Sequence, residues 1–254
     1  MKDETLSKKN QLQARKPGHR FAFLVFSLIL ISMTGCLDEY FVSGNHSPAT
    51  ENRYARNFRS VASSGEFIVN IVPGDEYMVQ VTAESNLLSY IETDVISNTL
   101  HIRTRNIYNL RNHEPMTVNI VCPELDGLRL SGSGVITSDY FATGDFDVIV
   151  SGSGKISADI DADRIDGNIS GSGDIVLTGT AIETDFNISG SGKILSYDLV
   201  QEYCNVGVSG SGCMYVNVSK VLDATISGSG KVFYVNNPVV HTKISGSGEV
   251  VNRN

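Results

Sequence analysis

DVIVSGSGKISADI, residues 147–160, decides the fold. Ser151-Gly152-Ser153-Gly154 sits between two stretches in which apolar and polar residues alternate, with Val148 and Val150 before it and Ile156 after it. A period of two belongs to a β-strand with one buried face. The tetrapeptide SGSG begins again at Ser131, Ser170, Ser189, Ser209, Ser227 and Ser245, so the seven copies are spaced 20, 19, 19, 20, 18 and 18 residues apart. Self-similarity at that period is the signature of a repeat architecture.

Aligned on SGSG, the copies form columns. The residue before the tetrapeptide is always a large aliphatic: Leu130, Val150, Ile169, Ile188, Val208, Ile226 and Ile244. Two positions earlier stand Val148, Gly167, Phe186, Val206, Ala224 and Thr242, and two earlier again Phe146, Ile165, Thr184, Cys204, Leu222 and Val240. The second residue after SGSG is Ile136, Ile156, Ile175, Ile194, Met214, Val232 or Val250. Each repeat is therefore strand, corner, strand, loop. Two short strands cannot bury a core alone, but stacking each column on itself can, and stacked strands run parallel.

The predicted fold is all-β: a parallel β-helix, or β-solenoid, with about 18–20 residues per repeat and rungs about 4.8 Å apart. Right-handed coiling follows from the chirality of parallel crossovers. An up-and-down antiparallel barrel is the runner-up, but it has no need of one tetrapeptide in phase at every turn. Glycine at the corners permits the bend, and stacked serine hydroxyls can hydrogen-bond to one another or to the backbone.

Residues 57–130 lack SGSG yet remain strand-like in FIVNIV (67–72), YMVQVTA (77–83), TLHIRT (99–104) and MTVNIV (116–121). Pro73-Gly74-Asp75 and Ser97-Asn98 are turn signals, and a short helix is expected near Asn86–Tyr90. This region is read as an N-terminal β region that caps the solenoid, so that 57–254 form one continuous domain, with 131–254 its SGSG-repeat part.

These features resemble the auto-transporter adhesin head, or GIN, domain family over roughly residues 57–250. The resemblance rests on Phe58-Arg59-Ser60-Val61, on Leu87-Leu88 with Ile91, on Leu100 and Ile102, and above all on the repeated V/I-SGSG-x-I/V. It implies a secreted or lipid-anchored β-helix protein and brings no catalytic or binding residues with it.

The N-terminus is read as an export signal. Lys2 to Arg20 is basic, and Phe21–Met33 is an unbroken apolar run, too short for an ordinary membrane span of about 20 residues. Met33-Thr34-Gly35-Cys36 follows, and it resembles the signal of bacterial lipoproteins, in which a small residue precedes a cysteine that receives a diacylglyceryl thioether. Residues 1–35 are then a lipoprotein signal peptide and Cys36 the lipidation site, through which the chain meets a membrane. Leu37-Asp38-Glu39 resembles a surface-export signal of Bacteroidota lipoproteins, giving an outer-membrane or cell-surface location. Residues 36–56, polar and aperiodic, read as a flexible tether.

Charge and chemistry narrow the function. The first 35 residues hold six of the 20 Lys and Arg but only two of the 28 Asp and Glu, leaving 14 bases against 26 acids. So acidic a body repels phosphate backbones, which excludes nucleic acid as a partner. Cys122, Cys204 and Cys213 form no CxxC or Cys/His cluster, so no metal site and no cofactor is expected. Cys204 falls in an inward column and Cys213 in an outward one, which disfavours a bond between them. Asp159, Asp161 and Asp163 alternate, but Arg164 stands where an EF-hand loop needs glycine. As acid–base candidates, Asp159, Asp161, Asp163, Asp185 and Lys193 are scattered over several rungs. None of the five histidines enters a Ser-His-Asp or HExxH arrangement.

The third position after SGSG should face outward and turns apolar toward the C-terminus: Thr137, Ser157, Val176, Leu195, Tyr215, Phe233, Val251. Val176, Leu195, Tyr215 and Phe233 are the candidate binding stripe, suited to a glycan, a protein ligand or a second copy of the chain. Ordinary β-propensity explains the same residues without a ligand. The resulting expectation is a lipid-anchored, non-catalytic binding or adhesion module. The alternatives are a β-helix polysaccharide lyase or hydrolase and a purely structural envelope protein.

Overall fold

The structure is a computed structural model that describes residues 40–105 and 108–254. The export signal, Cys36 and residues 37–39 lie outside the described residues.

The chain is a β-solenoid built from parallel strands. It opens with β1 (Tyr40–Ser43) and β2 (Pro48–Arg53), followed by β3 (Ser60–Gly65), β4 (Ile68–Pro73), β5 (Met78–Glu84), β6 (Ile91–Ile96), β7 (Thr99–Thr104), β8 (Tyr108–Arg111) and β9 (Thr117–Cys122). Then come β10 (Gly127–Gly132) and five long strands: β11 (Val135–Gly152), β12 (Lys155–Gly171), β13 (Asp174–Gly190), β14 (Lys193–Gly210) and β15 (Cys213–Gly228). The last rungs are β16 (Lys231–Val235), β17 (Val239–Gly246) and β18 (Glu249–Asn252). From β10 to β15 each strand pairs in parallel with the next, SGSG on SGSG. This is the predicted stacking and not the antiparallel barrel.

The columns lie where the period of two put them. Ile136, Ile156, Ile175, Ile194, Met214 and Val232 are fully buried, as are Val148, Phe186 and Val206. Sizes are matched between rungs. A Cβ on Gly167 would lie 2.7 Å from the Phe186 ring, which fills the space left by the missing side chain. At the final rung the column opens, and Ile244 is 43% exposed. Cys204 is buried and Cys213 only half-buried, with no bond between them. Cys122 is also buried, and burial pushes the thiols of Cys122 and Cys204 up to about 12.

Two glycines serve each corner for different reasons. The first holds a positive φ, +129° at Gly190, which L side chains rarely adopt. The second is forced by the rung beneath: a Cβ on Gly192 would fall 2.5 Å from the Gly173 carbonyl oxygen and 2.7 Å from Ile169 Cγ2. The ladder runs through the bend on backbone bonds, the second serine's N–H donating to the first glycine's carbonyl one rung below, at 3.0 Å for Ser153 and 2.9 Å for Ser247. The expected serine–serine contact occurs between Ser229 and Ser247, at 3.0 Å.

An earlier corner escapes the tetrapeptide pattern. Ser64-Gly65 align with Ser131-Gly132, and Gly65 has φ +124°. Phe67 then stands where SGSG has its second glycine. Between β7 and β9 the described residues make no equivalent corner beneath it, and the Phe67 side chain is completely buried.

Below this first turn the strands become a cap. β7 runs parallel under β3, and β6 folds back antiparallel on β7 through Ser97-Asn98, both at positive φ as a tight hairpin turn requires. β9 runs parallel under β4, β5 pairs antiparallel with β9, and β2 with β5. The short helix is a single 3-10 turn at Leu88–Tyr90. Residues 40–56 differ from the tether reading: β1 pairs with β8, and β2 is the edge strand of the cap. β2 shows no alternation because only Ala49 and Arg53 are shielded, and a strand polar on both faces has no period to detect.

Candidate functional site

The third position after each corner, continued onto β9 beneath the first of them, forms a continuous outward ladder. Asn119, Asn70, Thr137, Ser157, Val176, Leu195, Tyr215, Phe233 and Val251 are Cα partners from rung to rung. The fully buried column lies next to it, so alternation turns these side chains outward. Val176, Leu195, Tyr215 and Phe233 are each half-buried against their neighbours. The polar end of the ladder is bonded side chain to side chain, Asn70 donating to Asn119 at 2.9 Å.

At the apolar end the rings form one group. Tyr215 stacks on Phe233 with centroids 5.0 Å apart and planes 24° apart, while Tyr197 meets Tyr215 edge-on at 5.5 Å. The Arg253 guanidinium lies 4.9 Å from the Phe233 centroid, a cation–π contact. Asn217 donates to the Tyr197 carbonyl at 2.8 Å and holds this segment in place. Burial and the neighbouring Tyr215 push the Tyr197 hydroxyl above its ordinary pKa. Four residues chosen from one column thus come together, and Tyr197 and Arg253, outside that column, complete the surface.

The acids considered for chemistry fall in different columns, and those with contacts are tied to neighbours. Asp161 accepts from Thr180 Oγ1 at 2.8 Å and from the Tyr140 hydroxyl at 2.9 Å, which holds its carboxyl below the usual range. It lines an open groove of about 440 Å³ with Asp163, Thr180 and Glu202. Asp185 lies in another column, stacked on Asp166, and accepts from Asn187 at 2.7 Å and Asn205 at 3.3 Å. Asp166 pairs with Arg164 at 3.0 Å. Lys193 occupies the first position after its corner, paired with Asp174 and Cys213, and Asp159 pairs with Thr178.

A further cluster lies in the cap, where no local spacing announced it. His46 from the β1–β2 loop, Glu84 at the end of β5 and His113 from the β8–β9 loop bring their ligand atoms within 4.8 Å of one another. Glu84 is fully buried, whereas both histidines are exposed. Its Oε1 accepts the His46 backbone N–H at 2.6 Å, and its Oε2 accepts that of His113 at 2.8 Å. Burial alone would raise this carboxyl, but amides of His113, His46 and Glu114 outweigh it and hold it below the usual carboxylate range. The sequence carries no signal of it: Val79 to Glu84 alternates apolar and polar, and only the structure shows Ala83 and Glu84 both buried.

Comparison with known proteins agrees with the architecture. A solved structure from Bacteroides fragilis NCTC 9343, described as a putative adhesin, matches at TM-score 0.76 with 20% identity, over 84% of this chain and all of that one. One from Parabacteroides merdae ATCC 43184, also described as a putative adhesin, matches at 0.70 with 22% identity, over 85% of this chain and all of that one. A third, from Parabacteroides distasonis ATCC 8503 and described as a putative lipid binding protein, matches at 0.72 with 24% identity, over 84% of this chain and all of that one. At these identities the likeness is one of fold. A comparison with curated proteins returned no match. The family model described as "Putative auto-transporter adhesin, head GIN domain" matches residues 57–238, most of the solenoid and its cap, and the chain belongs to that family.

Proposed function

We propose that the chain is a non-catalytic binding or adhesion module of the cell envelope that holds glycan on the ladder Val176, Leu195, Tyr215 and Phe233. The observation that carries this reading is the ring group Tyr197–Tyr215–Phe233, half-buried and outward on a regular parallel sheet. Successive rungs lie about 4.8 Å apart, and Tyr215 and Phe233 stack on one another, so the ladder presents ring edges together with Val176 and Leu195 as one apolar strip. The apolar faces of sugar rings pack on such a strip, and Asn217 and Arg253 at the border supply hydrogen-bond donors. The bonded partners of Asp161, Asp166 and Asp185 support a structural use of those acids over an acid–base one.

Membership of an adhesin family supports a surface or exported protein. Among the described residues no helix is long and apolar enough to cross a membrane. In this proposal attachment comes from lipid on Cys36, with more than one acyl chain, since a single chain binds only marginally.

The test is Tyr215→Ser with Phe233→Ser in a 40–254 fragment, read on a glycan array and by flotation with lipid vesicles. The expected result is loss of glycan binding with an unchanged circular dichroism spectrum. Unfolding of the double variant would make the ladder part of the core and sink the idea. Vesicle binding without glycan binding would replace glycan by lipid, the ligand class named for the P. distasonis relative.

A further inference from the structure

The geometry points to a divalent transition-metal site in the cap, with His46, Glu84 and His113 as ligands. It is independent of the ladder and lies at the opposite end of the strand order. Two imidazoles and a carboxylate are the donor set of zinc sites that keep an open position, and of other first-row ions with nitrogen and oxygen ligands.

Three observations converge. The first is distance. His113 Nδ1 lies 3.8 Å from Glu84 Oε1, and ligand atoms of all three residues fall within 4.8 Å. Tetrahedral zinc with bonds of about 2.0–2.1 Å sets its ligands about 3.3 Å apart, so small side-chain rotations close the site.

The second is preorganisation of the carboxylate. Glu84 is fully buried and fixed by the backbone of the two residues whose rings would be its co-ligands. Three amides occupy three of its four lone-pair positions and leave one for a metal. Gly44 covers this carboxylate, and a Cβ there would fall 1.9 Å from Oε2, so any larger residue would displace the ligand.

The third is the histidine loop. His46 adopts φ +57°, uncommon for a residue with a side chain. Its loop is pinned by Asn45 N–H to Asn86 Oδ1 at 3.1 Å, Asn45 Nδ2 to Ser85 Oγ at 2.9 Å, and Asn86 Nδ2 to the Ser43 carbonyl at 2.8 Å. These bonds place the His46 ring 4.0 Å from the His113 ring. Two imidazoles held this close to one carboxylate form a pre-set chelate, since ordering the loops is no longer a cost of binding. A bound ion would join the β1–β2 loop to the β8–β9 loop, and so fasten the strand nearest the N-terminal segment to the cap.

The experiment uses the full-length chain purified in detergent, stripped with EDTA and titrated calorimetrically with ZnCl2. One strong equivalent is expected, together with a higher unfolding midpoint in zinc. His46→Ala and His113→Ala each weaken binding by about tenfold or more, and the double variant abolishes the strong equivalent. Both histidines are exposed, so the metal-free variants keep the wild-type spectrum and unfolding midpoint. CaCl2, which prefers oxygen ligands, gives no comparable response. Absence of a strong zinc equivalent in the wild type would leave Glu84 as a loop anchor alone and overturn the proposal. Zinc binding that survives in the double variant would place the ion elsewhere, for example at the His241–Asp223 pair, and overturn it as well.

Discussion

The repeat body and the N-terminal cap use the same corner under different constraints. In the body every corner rests on another, and the tetrapeptide is two glycines deep. At the first corner, Ser64-Gly65-Glu66-Phe67, the positive-φ glycine persists but the second position holds a buried phenylalanine. The backbone bend therefore needs one glycine, whereas the second answers to the carbonyl and aliphatic side chain of the rung beneath. Where the corner beneath is missing, a ring fills the space and seals the interior. Parallel stacking propagates a constraint upward, and antiparallel strands in the cap end it.

The largest effect is expected from giving the cap the sequence of the body. Phe67→Gly removes a wholly buried ring that no neighbouring rung replaces, and loses about 4 kcal/mol, read as a lower denaturant midpoint. A midpoint close to wild type would mean that the body's corner serves equally well at the end of the stack. The opposite exchange is milder. Gly192→Ala sets a Cβ against Gly173 and Ile169, and the overpacking costs about 3 kcal/mol. Gly144→Ala is the control: its Cβ would meet nothing within 4 Å, so the change stays within about 0.5 kcal/mol. Equal losses at Gly192 and Gly144 would show that glycine is kept in the body for some reason other than the rung below.

The same contrast explains what could be read from the sequence. In the body one residue's environment repeats every 18–20 positions, so aligning the copies reads out the packing directly: Ile156, Ile175 and Ile194 share one environment and are all buried. The ladder Val176–Leu195–Tyr215–Phe233 was legible for this reason. The cap has no such redundancy. The Phe67 corner shares only Ser-Gly with the tetrapeptide, and β2 is polar on both faces and looks like a linker. His46, Glu84 and His113 lie 38 and 29 residues apart, on two loops and a strand end, and antiparallel pairing of β2, β5 and β9, which no repeat announces, brings them together.

The smallest expected effect probes a side-chain tie that spans three rungs of the body. Asp161 joins three successive turns, accepting from Tyr140 on β11 and Thr180 on β13 while standing on β12. The Thr180 hydroxyl, then the Tyr140 hydroxyl, favour the ionised form and lower its pKa from the model-compound value of 3.8. A carboxyl whose folded pKa is depressed adds stability above its unfolded pKa, and that stability disappears as pH falls through the folded value. Asp161→Asn should therefore lower the unfolding midpoint slightly at neutral pH, with the gap to wild type closing below about pH 4. A gap that stays constant down to low pH would assign the effect to hydrogen-bond geometry rather than charge.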